Sequence, residues 1–432
     1  MEYTLFYLTK DLPVVFRGDT LGILFSVLVT IVWIGAGMFG LIYMKEEQKK
    51  KRYYCFYILV FVVLQALAFA GNLITFYLFY ELMTLLSAPL VFNSQTKEGL
   101  MAGLKYLFYS FFGAYLVLFG FFLLFPYGGG GIFTPGGILN GQAMEGNFIP
   151  VAIFCMILGF SVKAGMFPLH GWLPTAHPVA PAPASAVLSA IIVKMGILGV
   201  IRTVYYVAGA DFVRGTWVQQ TWLILSLITI FMGSVLAYRE KQLKKRLAYS
   251  TVSQASYILF GLALLNEQAM IGSLLHIVCH ALIKTTLFLF AGAVIMRTKK
   301  NCVEDLRGIG KEMPVTLWCF TFAALGLIGI PPTGGFLSKW YLATGALESN
   351  LSVFSWLGPT VLLISALLTA GYLLPISING FLPGKDYGAK RKKEPSWLML
   401  APLLVLAFLS VIIGLFPASV MERLTQITVG LF

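Results

Sequence analysis

The sequence contains about twelve apolar runs, each near the roughly 20 residues that a helix needs to cross a bilayer. They fall at 21–44, 54–73, 74–92, 102–125, 150–168, 182–209, 219–238, 249–265, 269–296, 314–346, 356–381 and 397–416. With 58% hydrophobic and 11% charged residues, the chain differs sharply from an ordinary soluble domain, which is about 25% charged. Lipid must be the solvent for much of that surface. Helices alone satisfy their own backbone there, short of a closed barrel. The expected fold class is an all-α polytopic membrane protein. Residues 1–20 do not read as a cleavable signal, because Lys10, Asp11, Arg17 and Asp19 interrupt them.

Two runs cannot be straight helices. The run 150–168 ends at Phe167-Pro168 and continues as a polar-flecked stretch to His177. The run 314–346 is interrupted by Ile330-Pro331-Pro332-Thr333-Gly334-Gly335. Pro168, Pro331 and Pro332 therefore mark helix breaks. Broken helices persist in lipid only where protein or a water-filled cavity surrounds the freed backbone groups.

Twelve spans make a testable topology. The loops 45–53, 93–105, 239–248, 297–313 and 382–396 alternate with the others and hold 22 Lys and Arg. The opposite set, including both termini and the loop 126–149, holds four: Lys10, Arg17, Arg214 and Arg423. Basic loops stay in the cytoplasm. The split places both termini outside it, with the chain multi-pass in the cell membrane.

Several function classes lack support. The five cysteines form no C-x-x-C pair and no disulfide, iron–sulfur or zinc spacing. No phosphate loop or nucleophile elbow is present. No cofactor or metal is expected in this chain. The net charge of +13 is explained by topology, so no nucleic-acid partner is expected.

Five basic residues and one acid remain inside the runs: Lys163, Lys194, Arg202, Lys284, Lys339 and Glu81. A charge at the bilayer centre costs about 2.5–3.5 kcal/mol on insertion scales, so such groups are functional by default. Glu81 lies near the middle of the third run, and Lys163 is about thirteen residues into the fifth, roughly 20 Å deep. Their depths match, so a coupled pair is possible. The bland alternative is a static ion pair joining two helices. Lys194 is about twelve residues into the sixth run, too deep to reach a surface easily. Arg202 lies nearer the outer end and reads as snorkelling.

The ninth run holds His276, His280 and Lys284, recurring every fourth residue. Each such step drifts only about 40° on a helix, so the three share one face about 6 Å apart. Histidine titrates near neutrality and suits a proton relay. Lys339 follows the second break and also lies within the membrane.

The run from Gly159 to His177, GFSVKAGMFPLHGWLPTAH, and its continuation Ala180–Ala186 to Lys194-Met195-Gly196 resemble a known signature. So do His276–Lys284 and Gly329–Phe336 with Lys339. The family is that of antiporter-like membrane subunits. These occur in respiratory complex I (NADH:quinone oxidoreductase), Mrp cation/proton antiporters, and membrane-bound energy-converting hydrogenases and formate hydrogenlyases. The resemblance implies two inverted five-helix repeats, 54–209 and 219–381, each with a broken helix. One flanking helix lies at each end, within 1–53 and 382–432. It implies Glu81 and Lys163 as a coupling pair, Lys194, His276 and His280 as a central relay joined by Lys284, and Lys339 as the terminal group. Relative to the family pattern the chain starts two helices late.

The expected function is translocation of protons, or Na⁺, by a non-redox subunit of a larger, redox-driven oxidoreductase or translocase complex. The implied partners are other antiporter-like and small membrane subunits and a peripheral redox arm. Iron–sulfur clusters and a nickel–iron centre or flavin would reside in those partners. Two alternatives stand beside it: a subunit of an Mrp-type cation/proton antiporter, and a standalone secondary transporter of an organic solute. An inert structural subunit is a further reading.

Overall fold

The computed structural model describes residues 2–47, 49–139, 148–384 and 392–432. Parts of the loops 45–53, 126–149 and 382–396 lie outside these residues. Each apolar run falls on helical residues, the run 314–346 on two helices, and the stretches 173–179 and 418–428 are helical as well. In chain order these are α1 (Thr20–Tyr43), α2 (Lys50–Ala68), α3 (Leu73–Val91), α4 (Lys97–Leu124) and α5 (Phe148–Ala164). Next come α6 (Leu173–Val179), α7 (Ala182–Ala208), α8 (Trp217–Arg239), α9 (Leu243–Ala263) and α10 (Glu267–Thr298). The last are α11 (Pro314–Ile328), α12 (Gly334–Leu347), α13 (Val353–Phe381), α14 (Trp397–Leu415) and α15 (Ala418–Thr428).

Among the described residues nine helices are long and apolar enough to cross a membrane. The apolar helices α5 and α11 are shorter, because each is the first half of a broken helix. α9 has 21 residues but is too polar to be counted with the nine. It nonetheless lies inside the bundle, with Ser250, Thr251, Ser253, Gln254 and Ser256 all buried.

Local chemistry sets the helix starts. Asp19, Asn72, Thr96 and Asn266 each accept a hydrogen bond from a backbone N–H three residues on, at 2.7–3.1 Å. The two interruptions begin at glycines. Gly165 (φ +77°) follows α5 and Gly329 (φ +89°) follows α11, a backbone conformation that favours glycine. Pro168 lies between α5 and α6, and Pro331 and Pro332 lie between α11 and α12.

The helices form two sets of five, α2–α7 and α8–α13, counting α5 with α6 and α11 with α12 as one broken member. In each set the fourth member is the broken one. Two helices are enclosed. The most apolar window of α7 is 100% buried and that of α10 is 94% buried, against 39–56% for the other candidate spans. α10 packs against α1, α7, α9, α11, α12 and α14. These two enclosed helices carry Lys194 and the His276–His280–Lys284 face.

One element goes beyond the expected helices. Residues 2–17 form an antiparallel hairpin, β1 (Glu2–Thr9) and β2 (Leu12–Arg17). It joins the helices through β2: Val15 N–H donates to Thr75 Oγ1, and Gly71 N–H to Val15 O, each at 2.8 Å.

Candidate ion pathway

Lys163 occupies the last turn of α5 and is wholly buried. Its amine donates to Tyr106 Oη and Ser110 Oγ of α4, both at 2.7 Å. These partners are one helical turn apart, so they present both oxygens on one face. The Tyr106 ring also lies under the ammonium, its centroid 4.1 Å away. Glu81 of α3 is half-buried, and its Oε1 is shielded from solvent without a hydrogen-bond partner. The carboxylate is near enough to Lys163 for a Coulombic interaction. In this conformation the amine rests on hydroxyls, and Glu81 acts on it through space.

α5 and α7 approach closely at Gly196. A Cβ there would lie 2.5 Å from Phe160 O and 2.8 Å from Lys163 Cβ. The close approach brings the Lys163 turn against the helix that carries Lys194. Lys194 follows a π turn at Leu188–Ile192. Its amine donates back to Ser189 O at 2.8 Å and contacts His280 Nδ1 at 2.5 Å. π turns free a backbone carbonyl and often mark functional positions.

On α10 the imidazoles of His280 and His276 lie nearly parallel, centroids 5.8 Å apart and planes at 15°. His276 Nδ1 is 2.9 Å from Ser338 Oγ, while Nε2 of both rings has no partner among the described residues. Tyr257 stacks on His276 at 5.6 Å and lies 5.1 Å from the Lys339 amine. Lys339 donates to Leu327 O and Ile328 O at 2.7 and 2.8 Å. Lys194, His280 and His276 thus form a buried row, which Ser338 and Tyr257 link to the half-buried Lys339.

Lys284 is drawn elsewhere. Its amine donates to Leu247 O at 2.9 Å and to Ser250 Oγ, both on α9. It shares the face of the two histidines but is bonded to α9. Arg202 corrects the snorkelling expectation. It is 1% exposed and forms a bidentate pair with Asp19, at 2.5 and 2.9 Å. The acid that satisfies it lies before α1, far away in sequence.

Residues missed from the sequence join this row. Tyr106 and Ser110 hold Lys163, and Ser189, Tyr257 and Ser338 supply the row's oxygen partners and stacking surface. Gln254 is buried, and among the described residues its amide atoms have no partner. His177 is buried and stacked on Phe288 at 4.8 Å, and its ring nitrogens have no partner among the described residues. Lys244, counted among the basic-loop residues, is buried and donates to Ala180 O at 2.8 Å. The recurring Ser, Thr and Gln of α9 were the available signal.

Fold and site together define a polytopic membrane protein with amines and imidazoles in contact inside its helix bundle. The chain belongs to the NADH:quinone oxidoreductase/Mrp antiporter transmembrane family, which it matches over residues 70–369, from α3 to α13. It is 32% identical over 412 residues to NADH-quinone oxidoreductase subunit N of Desulforudis audaxviator, covering 92% of this chain and 80% of that one. It is 29% identical over 424 residues to hydrogenase-4 component B of Escherichia coli, covering 92% of this chain and 62% of that longer protein. An Na(+)/H(+) antiporter subunit of Alkalihalophilus pseudofirmus is 26% identical over 414 residues, covering 96% and 83%. Two solved structures share the fold. A chain of the Mrp complex from Dietzia superposes with a TM-score of 0.85 at 22% identity, covering 100% of this chain and 87% of that one. A chain of the membrane-bound sulfane sulfur reductase, an archaeal respiratory membrane complex, gives 0.86 at 24%, covering 99% and 85%.

Proposed function

We propose that this chain is a proton-translocating, antiporter-like subunit of a multisubunit membrane complex. The observation that carries the reading is the contact of Lys194 Nζ with His280 Nδ1 at 2.5 Å between two enclosed helices. An amine and an imidazole at that distance exchange a proton without either group moving far. The row is built of nitrogen bases, which accept and release protons. This donor set favours H⁺ over Na⁺ as the ion carried along it.

In the proposed sequence of events, charge displaced near Glu81 alters the hold of Lys163 on its proton. The change passes across the α5–α7 contact to Lys194, then to His280 and His276, and ends at Lys339. Lys284, on α10 but bonded to α9, biases the row electrostatically. The repeats 54–209 and 219–381 are the two halves between which this row runs.

The drive is proposed to be redox chemistry in a peripheral arm of complex I or energy-converting hydrogenase type. Iron–sulfur clusters and a nickel–iron centre or flavin would sit in those partner subunits, beside other antiporter-like and small membrane subunits. The similarity to a quinone oxidoreductase subunit and to a hydrogenase component supports this drive. A second reading, a subunit of an Mrp-type antiporter, draws on the likeness to the Na(+)/H(+) antiporter protein of Alkalihalophilus pseudofirmus. Family membership argues against a standalone transporter of organic solutes. The 22-to-4 split of basic residues supports a cell-membrane topology with both termini outside the cytoplasm.

The test is ion pumping by the intact complex in proteoliposomes. With Glu81→Gln and Lys163→Ala together, pumping should be lost. Pumping at the normal rate would falsify the route. Mass spectrometry of the co-purifying subunits separates the two drives: redox subunits support the first, and antiporter subunits alone support the second.

A further inference from the structure

The outer face of α4 carries a line of exposed apolar side chains that includes Met101, Leu104, Phe108, Tyr115 and Phe122, each at least 50% exposed. At the end nearest the basic loops, this line sinks into a groove of about 720 Å³. Met101, Leu104, Lys105 and Phe108 of α4, Pro174 of α6 and Lys245 of α9 line it. Glu98 also lines it. Lys245 is paired with Glu240 at 2.9 Å. Lys105 is not paired: among the described residues its amine has one hydrogen bond, to Thr175 Oγ1 at 3.1 Å, and no carboxylate partner.

A partly buried ammonium beside an apolar groove lacks an anion. A neighbouring transmembrane helix would cover the apolar wall but would bury this charge unpaired, which is unfavourable. An amphiphile with an anionic head meets both demands. The groove lies along the first three turns of a helix that starts on the side of the basic loops, where phospholipid head groups meet the protein. Basic residues at that depth attract anionic lipid.

We propose that the groove binds one anionic phospholipid. An acyl chain lies along Met101, Leu104 and Phe108, and the phosphate contacts Lys105, with Lys245 as a second cation. The site adjoins the ion row. Tyr106, the next residue of α4, holds the Lys163 amine, and Thr175 belongs to the half-helix that follows the first break. An occupant that pulls Lys105 from Thr175 loosens the tie between α4 and α6 beside Lys163.

The experiment is native mass spectrometry of the delipidated intact complex, titrated with phosphatidylglycerol or with phosphatidylcholine. One phosphatidylglycerol should bind per copy of this chain, in preference to phosphatidylcholine. Lys105→Gln, which keeps a donor for Thr175, should weaken that binding about fivefold, the effect of one basic residue near an anionic head group. Lys105→Arg should restore it. Equal binding of the two lipids to the wild type, or unchanged phosphatidylglycerol binding by Lys105→Gln, overturns the proposal. A second measurement uses Met101→Cys in native membranes with a bifunctional thiol cross-linker. Absence of a protein adduct, with labelling by a maleimide-bearing phospholipid, supports lipid in the groove. A specific cross-link to another subunit shows a partner helix there and overturns it.

Discussion

The two broken helices solve the same problem with different residues. Each break frees carbonyls at the end of its first half. In the first, the Trp172 indole N–H donates to Val162 O at 2.8 Å. In the second, the Lys339 ammonium donates to Leu327 O and Ile328 O. The first break is thus closed by a group that never ionises, which leaves Lys163 bound only to hydroxyls. The second is closed by the ionisable group itself. Proton loss from Lys163 disturbs two hydroxyl contacts, whereas proton loss from Lys339 weakens the cap on a helix end. By this contrast Lys163 can lose its proton without loosening a helix end, whereas Lys339 cannot.

Four substitutions break or sharpen this contrast. Lys163→Met should abolish proton translocation by the reconstituted complex while leaving its thermal unfolding midpoint unchanged or raised. The change strands no helix-end carbonyl, and Tyr106 Oη keeps its partner Ser87 Oγ at 2.7 Å. A large loss of stability here would erase the distinction between the breaks. Lys339→Met should behave differently, since it strands two acceptors. It should destabilise by about 3 kcal/mol, read as a lowered midpoint, as well as reducing transport. Trp172→Phe removes one neutral hydrogen bond, from a carbonyl that also accepts from Gly165 N–H at 3.1 Å. About 1 kcal/mol of destabilisation is expected, with transport retained in part. The smallest effect belongs to Ser110→Ala, which leaves Tyr106 on Lys163. Stability should change by less than about 1 kcal/mol, and a fall in initial transport rate should be the main readout.

Much of this architecture is legible in the sequence because lipid imposes a simple rule on backbone. The apolar runs, the prolines in both breaks and the basic loops follow directly from it. The His276–His280 face is equally plain, since a four-residue spacing on a helix fixes direction. Other parts are set by contacts between distant segments. Nothing near Arg202 announces Asp19 as its partner, and nothing near Lys163 points to Tyr106 and Ser110. The polar helix α9 reads as a weak span because hydropathy averages over faces, yet its hydroxyls line the interior. Lys244 looks like loop charge from sequence and is buried because α9 begins inside the bundle. The hairpin at 2–17 is hard to read because YTLFYLT and LPVVFR carry no strict apolar–polar alternation and the turn at Lys10-Asp11 holds no glycine or asparagine.

The π turn at Leu188–Ile192 has an angular consequence. It accommodates one residue more than the α turn it replaces, and each residue of a helix advances the azimuth by about 100°. Lys194 and the rest of the α segment Val193–Ile201 are therefore clocked by about that angle relative to Ala182–Val187. Without this offset the lysine would face a different sector of the bundle, away from His280. Forcing the same residues into a straight α-helix would rotate the amine out of the row by about 100°, whereas deleting one residue within the turn would restore an α turn and keep its bearing. The compass bearing of Lys194 is encoded in residue count.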